Sequence, residues 1–293
     1  MQQAHKYSEL QMLVSFISRV TFDEEFVRNG CPEAYYDPNT NVDDTVGTYS
    51  TNFAISAVCI AVIGLKLFGG RRSKLLLNDY LMIAFFLFTC LAFGIAGVGH
   101  VVIKQVDDPG NVVNNYMTAI TYSAANVFLI LFSLRLIGVD HQGSCIKKSI
   151  WWTSVVIAVA VYVTTIVMSD NLLIYGFFGF FTFIFTAIIY LIKVFMVPGE
   201  RLYYSIKSLG TWVMLAASFI QFLLTPKCGL NGAYKDCFGE CPLPNPMKFN
   251  HNALFHVVDM IGLIMVGWSE YYSPSYSVGK NLEYEEDVLI VDA

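Results

Sequence analysis

The chain has 293 residues, of which 55% are hydrophobic and only 14% are charged, and its formal net charge is -5. A soluble domain carries roughly 25% charged residues, so this composition excludes an ordinary soluble protein and predicts an integral membrane protein. The negative net charge, with no basic patch along the chain, also excludes a nucleic-acid partner.

Residues 1–48 predict a polar segment that precedes the first membrane span and contains an amphipathic helix. From Ser8 to Val20, apolar residues recur at helical spacing, while Glu9 and Arg19 interrupt them. The stretch is too polar for the core of a signal peptide. We therefore expect a helix that lies on the membrane surface or against the bundle.

Residues 49–272 contain seven apolar blocks of about 20 residues, the length that crosses a hydrocarbon core of about 30 Å. Because the blocks are apolar on nearly all sides, they predict membrane-spanning helices, whose backbone hydrogen bonds are satisfied internally. The predicted fold class is all-α, a seven-transmembrane helix bundle in a multi-pass protein of the plasma membrane or an endomembrane. The blocks run from Tyr49 to Phe68, Leu76 to Gly99, Val112 to Leu136, Ser149 to Met168, Leu172 to Val197, Tyr203 to Leu224 and His251 to Trp268.

Basic residues between the blocks predict the orientation of the bundle. The first, third and fifth loops hold most of the Lys and Arg residues, with Arg135 and Lys207 counted at their edges. Loops rich in these residues stay in the cytosol. The N-terminus is therefore expected outside the cell or in a lumen, and the acidic tail of residues 273–293 in the cytosol. The pair Asn78 and Asp79, at the inner start of the second block, is interpreted as a helix cap.

Cysteines predict an oxidising compartment on the outer face. One lies in the N-terminal segment and three lie in or beside the outer loop of residues 226–249, where they suit one or two disulfide bonds. The other three lie in the spans or the third loop and are expected as free thiols. The disulfide candidates are Cys31, Cys228, Cys237 and Cys241, and the expected free thiols are Cys59, Cys90 and Cys145.

Polar residues near the outer ends of three spans predict a buried polar site. Ionisable residues inside a membrane are functional candidates by default. Several of them at one level on facing helices form the arrangement that builds a metal or ligand site in a bundle. The candidates are His100 in the second block, Asn114 and Asn115 in the third, and His251, Asn252, His256 and Asp259 in the seventh.

Helical geometry sorts the candidates of the seventh block. Asn252, His256 and Asp259 share a face, because positions i, i+4 and i+7 of a helix line up. His251 lies about 140° away from His256 at 100° per residue, so it joins them only if the helix begins late. Asn250 is a good N-cap residue, which would instead place His251 in the first turn.

The stretch from Cys241 to His256 carries a Cys-Pro-Leu-Pro string and an Asn-His-Asn-x-x-x-His signature. It resembles a group of seven-span membrane proteins that bear the same signature. That resemblance implies a fold and no activity.

A wider resemblance rests on the span layout and two histidines. A seven-span bundle with one histidine ending span two and a pair opening span seven resembles the zinc hydrolases that include alkaline ceramidases and progestin/adipoQ receptors. The resemblance implies three histidines on zinc, an activated water and hydrolysis of a lipid amide. His100 and His256 match two of the ligands, while Asn252 stands where the family has a histidine. The third ligand is left to His251, to Asp259 or to a loop acid, and Asp259 is also the candidate catalytic carboxylate that orients a ligand or shuttles a proton.

Three alternatives stay open. In the first, the histidines and asparagines are structural, either solvated at the membrane edge or hydrogen-bonded between helices. In the second, the chain is a non-enzymatic component of a larger assembly with partner membrane subunits, and in the third it is an atypical receptor. Membrane lipids are expected at the apolar surface in each case. A retinal-binding protein is excluded, because no lysine lies between His251 and Trp268.

Overall fold

The computed structural model describes residues 45–68, 76–103, 109–139, 144–167, 172–228, 243 and 248–272. Within these residues the chain is all-helical, as predicted, with no β strand. The helices are α1 (Val46–Phe68), α2 (Leu77–Val102), α3 (Pro109–Leu136), α4 (Cys145–Val167), α5 (Leu172–Met196), α6 (Arg201–Cys228) and α7 (His251–Tyr272), and a short 3-10 turn, Pro198–Glu200, precedes α6.

Each helix lies where an apolar block was predicted, and most extend beyond the block. Hydropathy marks the apolar part of a helix, whereas the hydrogen-bonded backbone continues through polar first and last turns. Thus α1 begins at Val46, three residues before the predicted start at Tyr49. The predicted amphipathic helix in residues 1–48, most of the outer loop at 226–249 and the tail at 273–293 lie outside the described residues.

The cysteines fall into two groups. Cys59, Cys90 and Cys145 are free thiols, as expected. Cys31, Cys237, Cys241 and the side chain of Cys228 lie outside the described part of the chain. The disulfide bonds therefore stay a prediction.

Six of the helices form a closed ring. Around it α1 packs on α2, α2 on α3, α3 on α5, α5 on α6, α6 on α7, and α7 on α1, while α4 lies mainly against α3. In the residues described, the six ring helices have the length and composition needed to cross a membrane. The chain is therefore consistent with a multi-pass membrane protein, and a seventh span by α4 stays a prediction.

Contacts between neighbouring helices define the two ends of the bundle. On α1 and α7, Thr51 meets His256 and Lys66 meets Glu270, so these two helices run in the same direction. We call the two ends of the bundle the His256 end and the Glu270 end. Large apolar side chains such as Phe86 and Phe183 fill the interior between them.

The helices α6 and α7 cross at two glycines. A Cβ on Gly262 would lie 2.6 Å from the carbonyl oxygen of Gly210, and one on Gly210 would lie 2.9 Å from that of Gly262. Membrane helices gain little from burying apolar surface, because lipid is equally apolar, and small residues that admit close backbone packing replace that force. The two glycines therefore allow the backbones of α6 and α7 to pack closely at this crossing.

Candidate functional site

The start of α7 is tied to α1 through Asn250. Its side-chain Oδ1 accepts a hydrogen bond from the backbone N–H of Ala253 at 3.1 Å and another from the hydroxyl of Thr48 at 2.9 Å. The first bond is the predicted N-cap, since a cap side chain accepts from the third helical residue. His251 consequently lies in the first turn of α7, where it is fully buried. Its side chain leaves the helix about 140° from that of His256, so the two histidines face different directions.

His256 lies between α1 and α2 at a defined orientation. Its Nδ1 is 3.0 Å from Oγ1 of Thr51, and its ring meets the ring of Phe93 edge-on, with the centroids 5.4 Å apart. The Thr51 hydroxyl also lies 2.7 Å from the carbonyl oxygen of Gly47 and 3.0 Å from that of Thr48. When it donates its single proton to either of them, the hydrogen bond with His256 requires a proton on Nδ1. In that tautomer Nε2 carries the lone pair of the ring, the kind of nitrogen that binds a metal.

Asn252 joins α7 to α6. Its Oδ1 accepts a hydrogen bond from Nε2 of Gln221 at 2.5 Å. An interhelical amide bond of this kind is a structural contact, which favours the structural alternative for this residue. Asn252 is thus part of the polar His256 end.

Two polar side chains deeper in the bundle are buried and incompletely bonded. Asn52 on α1 is fully buried, and neither atom of its carboxamide has a hydrogen-bond partner among the described residues. Asp259 on α7 is 2% exposed, and its Oδ1 is likewise without a hydrogen-bond partner in the described part of the chain. The Asp259 carboxyl interacts electrostatically with the Cys59 thiol of α1. Asp259 follows His256 by about one turn of α7, and Asn52 follows Thr51, the residue of α1 that contacts His256. We call Asn52, His256 and Asp259 the polar interior.

In the structural alternative, Asp259 would bond to a polar residue of a neighbouring helix such as Asn126 or Gln221. Nδ2 of Asn126 donates to the backbone oxygen of Tyr122 at 2.9 Å, and Nε2 of Gln221 donates to Asn252. Each amide nitrogen carries two protons, so these bonds do not exclude a bond to Asp259, and this alternative stays a prediction. Asn52 was missed as a candidate, although an amide inside an apolar block is the signal that would have found it.

His100, Asn114 and Asn115 lie at the same end of the bundle and are half-buried. The Asn114 carboxamide packs against Gly99, where an added Cβ would collide with it. Two residues earlier on α2, a Cβ on Gly97 would lie 3.2 Å from Cβ of Asn52. These contacts join α2 to α3 and to α1 near His100, and the common level of the candidate residues stays a prediction.

The described residues do not complete a zinc site of the expected kind. No three His, Cys, Asp or Glu side chains among them are grouped closely enough to hold a metal ion. His256 and Asp259 share a face of α7 and offer two ligands, while a zinc enzyme needs three protein ligands and an open position. A zinc cofactor therefore stays a prediction that requires a further ligand.

The Glu270 end holds a second polar site, which the sequence analysis did not predict. Nζ of Lys66 on α1 is 2.9 Å from Oδ1 of Asp79 on α2 and 2.7 Å from Oε2 of Glu270 on α7. Oε1 of Glu270 pairs with Nζ of Lys207 on α6 and lies 3.3 Å from the Tyr203 hydroxyl. The paired side chains are between 0% and 5% exposed, so four helices meet at a buried cluster of two positive and two negative groups.

Aromatic rings surround the Lys207 ammonium. Its Nζ lies 4.5 Å from the ring centroid of Phe132, 4.6 Å from that of Tyr203 and 5.2 Å from that of Tyr190. A cation over an aromatic face is attracted by the ring, more strongly where water is excluded. Lys207 therefore has two kinds of partner, a carboxylate and an aromatic cage.

Three residues at this end have contacts that the sequence analysis did not predict. Lys207 was counted with the basic residues of the fifth loop although it belongs to the sixth apolar block, and it lies inside α6 with its charge buried. Arg135 is also helical, and its Nε donates to Oδ1 of Asn78 at 2.8 Å. Asp79 does cap α2, since its Oδ2 accepts from the Leu76 N–H at 3.1 Å, but it also pairs with Lys66. Charge spacing along the chain cannot show such pairing, because the partners come from different helices.

No protein-family model, curated protein or solved structure matches the chain. The resemblances to seven-span proteins therefore stay expectations from the residues that carry them.

Proposed function

We propose that this chain is a seven-span integral membrane protein that binds a small polar ligand or a metal ion in the polar interior between α1, α2 and α7. The supporting observation is the pair Asn52 and Asp259, both buried and both with polar atoms that lack hydrogen-bond partners among the described residues. Leaving a buried polar group unpaired costs about 1–3 kcal/mol. In native proteins such groups point to a ligand, an ion or a water that completes their bonds.

The membrane topology is part of the same proposal. α4 spans the membrane with the six ring helices, the N-terminus lies outside or in a lumen, and the C-terminus lies in the cytosol. The loops rich in Lys and Arg support this orientation. It places the His256 end near the outer face, from which a ligand would enter.

His256 and Asp259 favour a metal ion among the ligands. The hydrogen bond between Nδ1 and Thr51 orients the ring, and with the proton on Nδ1 the lone pair that a metal would bind is on Nε2. Metal-binding histidines are commonly oriented by a hydrogen bond from their other nitrogen. Asp259, one turn along the same face, adds a carboxylate at the same interface.

Zinc-dependent hydrolysis of a lipid amide is the second candidate function, and the shared face of His256 and Asp259 favours it. The enzyme needs a ligand beyond these two, for which His100 on α2 is the candidate that the family resemblance implies. A lipid substrate would reach the site from the surrounding bilayer.

The test is elemental analysis and native mass spectrometry of detergent-purified protein prepared without chelators. We expect about one metal ion per chain, or one bound small molecule, in the wild type and a loss of it in both His256→Ala and Asp259→Asn. His141→Ala is the matched control, because His141 lies in the sequence between the end of α3 and the start of α4 and the substitution should leave the content unchanged.

The outcomes separate the candidate functions. Bound zinc that is also lost in His100→Ala would favour the hydrolase, and a ceramide hydrolysis assay with and without chelator would follow. A bound organic molecule would favour a receptor. Wild-type protein that holds neither would contradict the proposal, and stable co-purification with other membrane proteins would then favour a non-enzymatic subunit.

A further inference from the structure

The buried ion cluster at the Glu270 end is joined through one residue. Glu270 contacts Lys66 on α1 through Oε2, and Lys207 and Tyr203 on α6 through Oε1. It thereby connects the end of α7 to two neighbouring helices at once. Glu270 also lies two residues before the last residue of α7, where the helix dipole disfavours a negative charge. The lysines of the neighbouring helices offset that unfavourable position.

Each lysine keeps a second partner if Glu270 moves away. Lys66 retains Asp79, at 2.9 Å, and Lys207 retains the cage formed by Phe132, Tyr190 and Tyr203. A buried charge that loses its partner is strongly unfavourable. Because both cations are still stabilised after Glu270 leaves, the cluster can exist in a closed and an open arrangement.

The position of the Gly210–Gly262 crossing determines which part of α6 would move. Toward the His256 end, Gln221 bonds to Asn252, and toward the Glu270 end, Lys207 and Tyr203 contact Glu270. The glycine crossing lies between these two sets of contacts, where the two backbones are packed so closely that a Cβ on either glycine would press on the carbonyl oxygen of the other. It is the natural pivot for a tilt of α6 against α7.

We propose that Glu270, with Lys66 and Lys207, is a conformational latch, and that its opening lets the Arg201–Lys207 part of α6 swing away from α1 about the Gly210–Gly262 pivot. The inference is independent of what binds in the polar interior. The eight residues from Gly210 to Leu202 form a lever of about 12 Å, so a tilt of roughly 20° moves Leu202 by about 4 Å.

The test measures distances between spin labels on full-length protein in lipid nanodiscs. Labels are attached to a ketone-bearing amino acid, which leaves the native cysteines untouched, at Leu202 and Phe68 for the Glu270 end. A second pair, Leu223 and Val46, reports on the His256 end. All four side chains are exposed, from 58% to 84%.

The latch variant is Lys207→Met with Glu270→Gln, which removes one charge of each sign and leaves Lys66 paired with Asp79. We expect a second, longer Leu202–Phe68 distance and an unchanged Leu223–Val46 distance. The matched control is Lys66→Met with Asp79→Asn, which also removes one charge of each sign but leaves the Lys207–Glu270 pair intact. It should keep the wild-type Leu202–Phe68 distance.

Two results would overturn the latch. An unchanged Leu202–Phe68 distance in the latch variant would show that Glu270 does not restrain α6. Equal broadening of both label pairs would show general loosening of the bundle instead of a tilt about the pivot.

Discussion

Asp259 and Glu270 are both buried carboxyl groups on α7, and their surroundings predict opposite effects of the same substitution. Glu270 pairs with two lysines, whereas Oδ1 of Asp259 has no hydrogen-bond partner among the described residues. We expect Asp259→Asn to raise the Tm of the ligand-free protein, since it removes an ionisable group whose burial costs about 1–3 kcal/mol. We expect Glu270→Gln to lower it, because breaking a buried ion pair costs about 3–5 kcal/mol.

Thermal unfolding in detergent, followed by circular dichroism, measures both variants. The two substitutions replace a carboxylate by its amide and differ only in site. A Tm that falls equally in both would show that Asp259 has a stabilising partner, and it would remove the main support for a ligand in the polar interior.

For individual residues, the sequence predicted the roles that depend on positions within a single helix. The N-cap by Asn250 and the common face of His256 and Asp259 follow from positions in one helix. Asn52 and the pairing of Glu270 were missed, because a buried amide or a neutralised charge is defined by groups on other helices. The burial of the Lys207 charge was missed for the same reason, since Lys207 was counted only among the basic residues that predict the orientation.

At the level of the helices, the close packing of α6 against α7 depends on the missing side chain of Gly262. A Cβ there would collide with the Met214 side chain and lie 2.6 Å from the carbonyl oxygen of Gly210. We expect Gly262→Ala to lower stability by about 1–3 kcal/mol, the usual range for overpacking. The matched control is Gly64→Ala on α1, where a Cβ meets nothing within 4 Å and helix propensity favours alanine by about 1 kcal/mol.

The midpoints of unfolding of the two glycine variants in a denaturing detergent give the comparison. Gly262→Ala should unfold more readily than the wild type, and Gly64→Ala should equal or exceed it. If the two variants behave alike, the close approach of α6 and α7 is not a determinant of stability.

For the whole molecule, the proposed topology of seven spans with an outer N-terminus can be tested with engineered glycosylation sites. The chain has no N-x-Ser/Thr glycosylation sequon, and three single substitutions create one: Asn41→Thr, Ala233→Thr and Glu283→Thr. A sequon is modified only on the luminal side. We expect glycosylation of the first two variants and not of the third, as seven spans with an outer N-terminus require. Expression in eukaryotic membranes and a gel shift reversed by glycosidase provide the measurement.

Each alternative topology gives a different pattern. If α4 does not span, an odd number of spans separates Asn39 from Asn231, so only one of the sequons at these two asparagines is modified. If the orientation is reversed, only Glu283→Thr yields a glycosylated protein. Either pattern would contradict the proposed topology.

The sequence alone determined that the chain is all-helical with helices apolar and long enough to cross a membrane, as well as where its helices lie along the chain and how α7 begins. These properties follow from local physics, because a segment in lipid must satisfy its own backbone hydrogen bonds and be apolar over the length of the bilayer. The tertiary structure decided the ring of six helices, the pairing of Glu270 with Lys66 and Lys207, and the burial of Asn52 on α1. These depend on contacts between residues up to about 200 positions apart, such as Thr48 with Asn250. In lipid, hydropathy gives helices little reason to choose one neighbour over another, so close packing and polar contacts decide the arrangement.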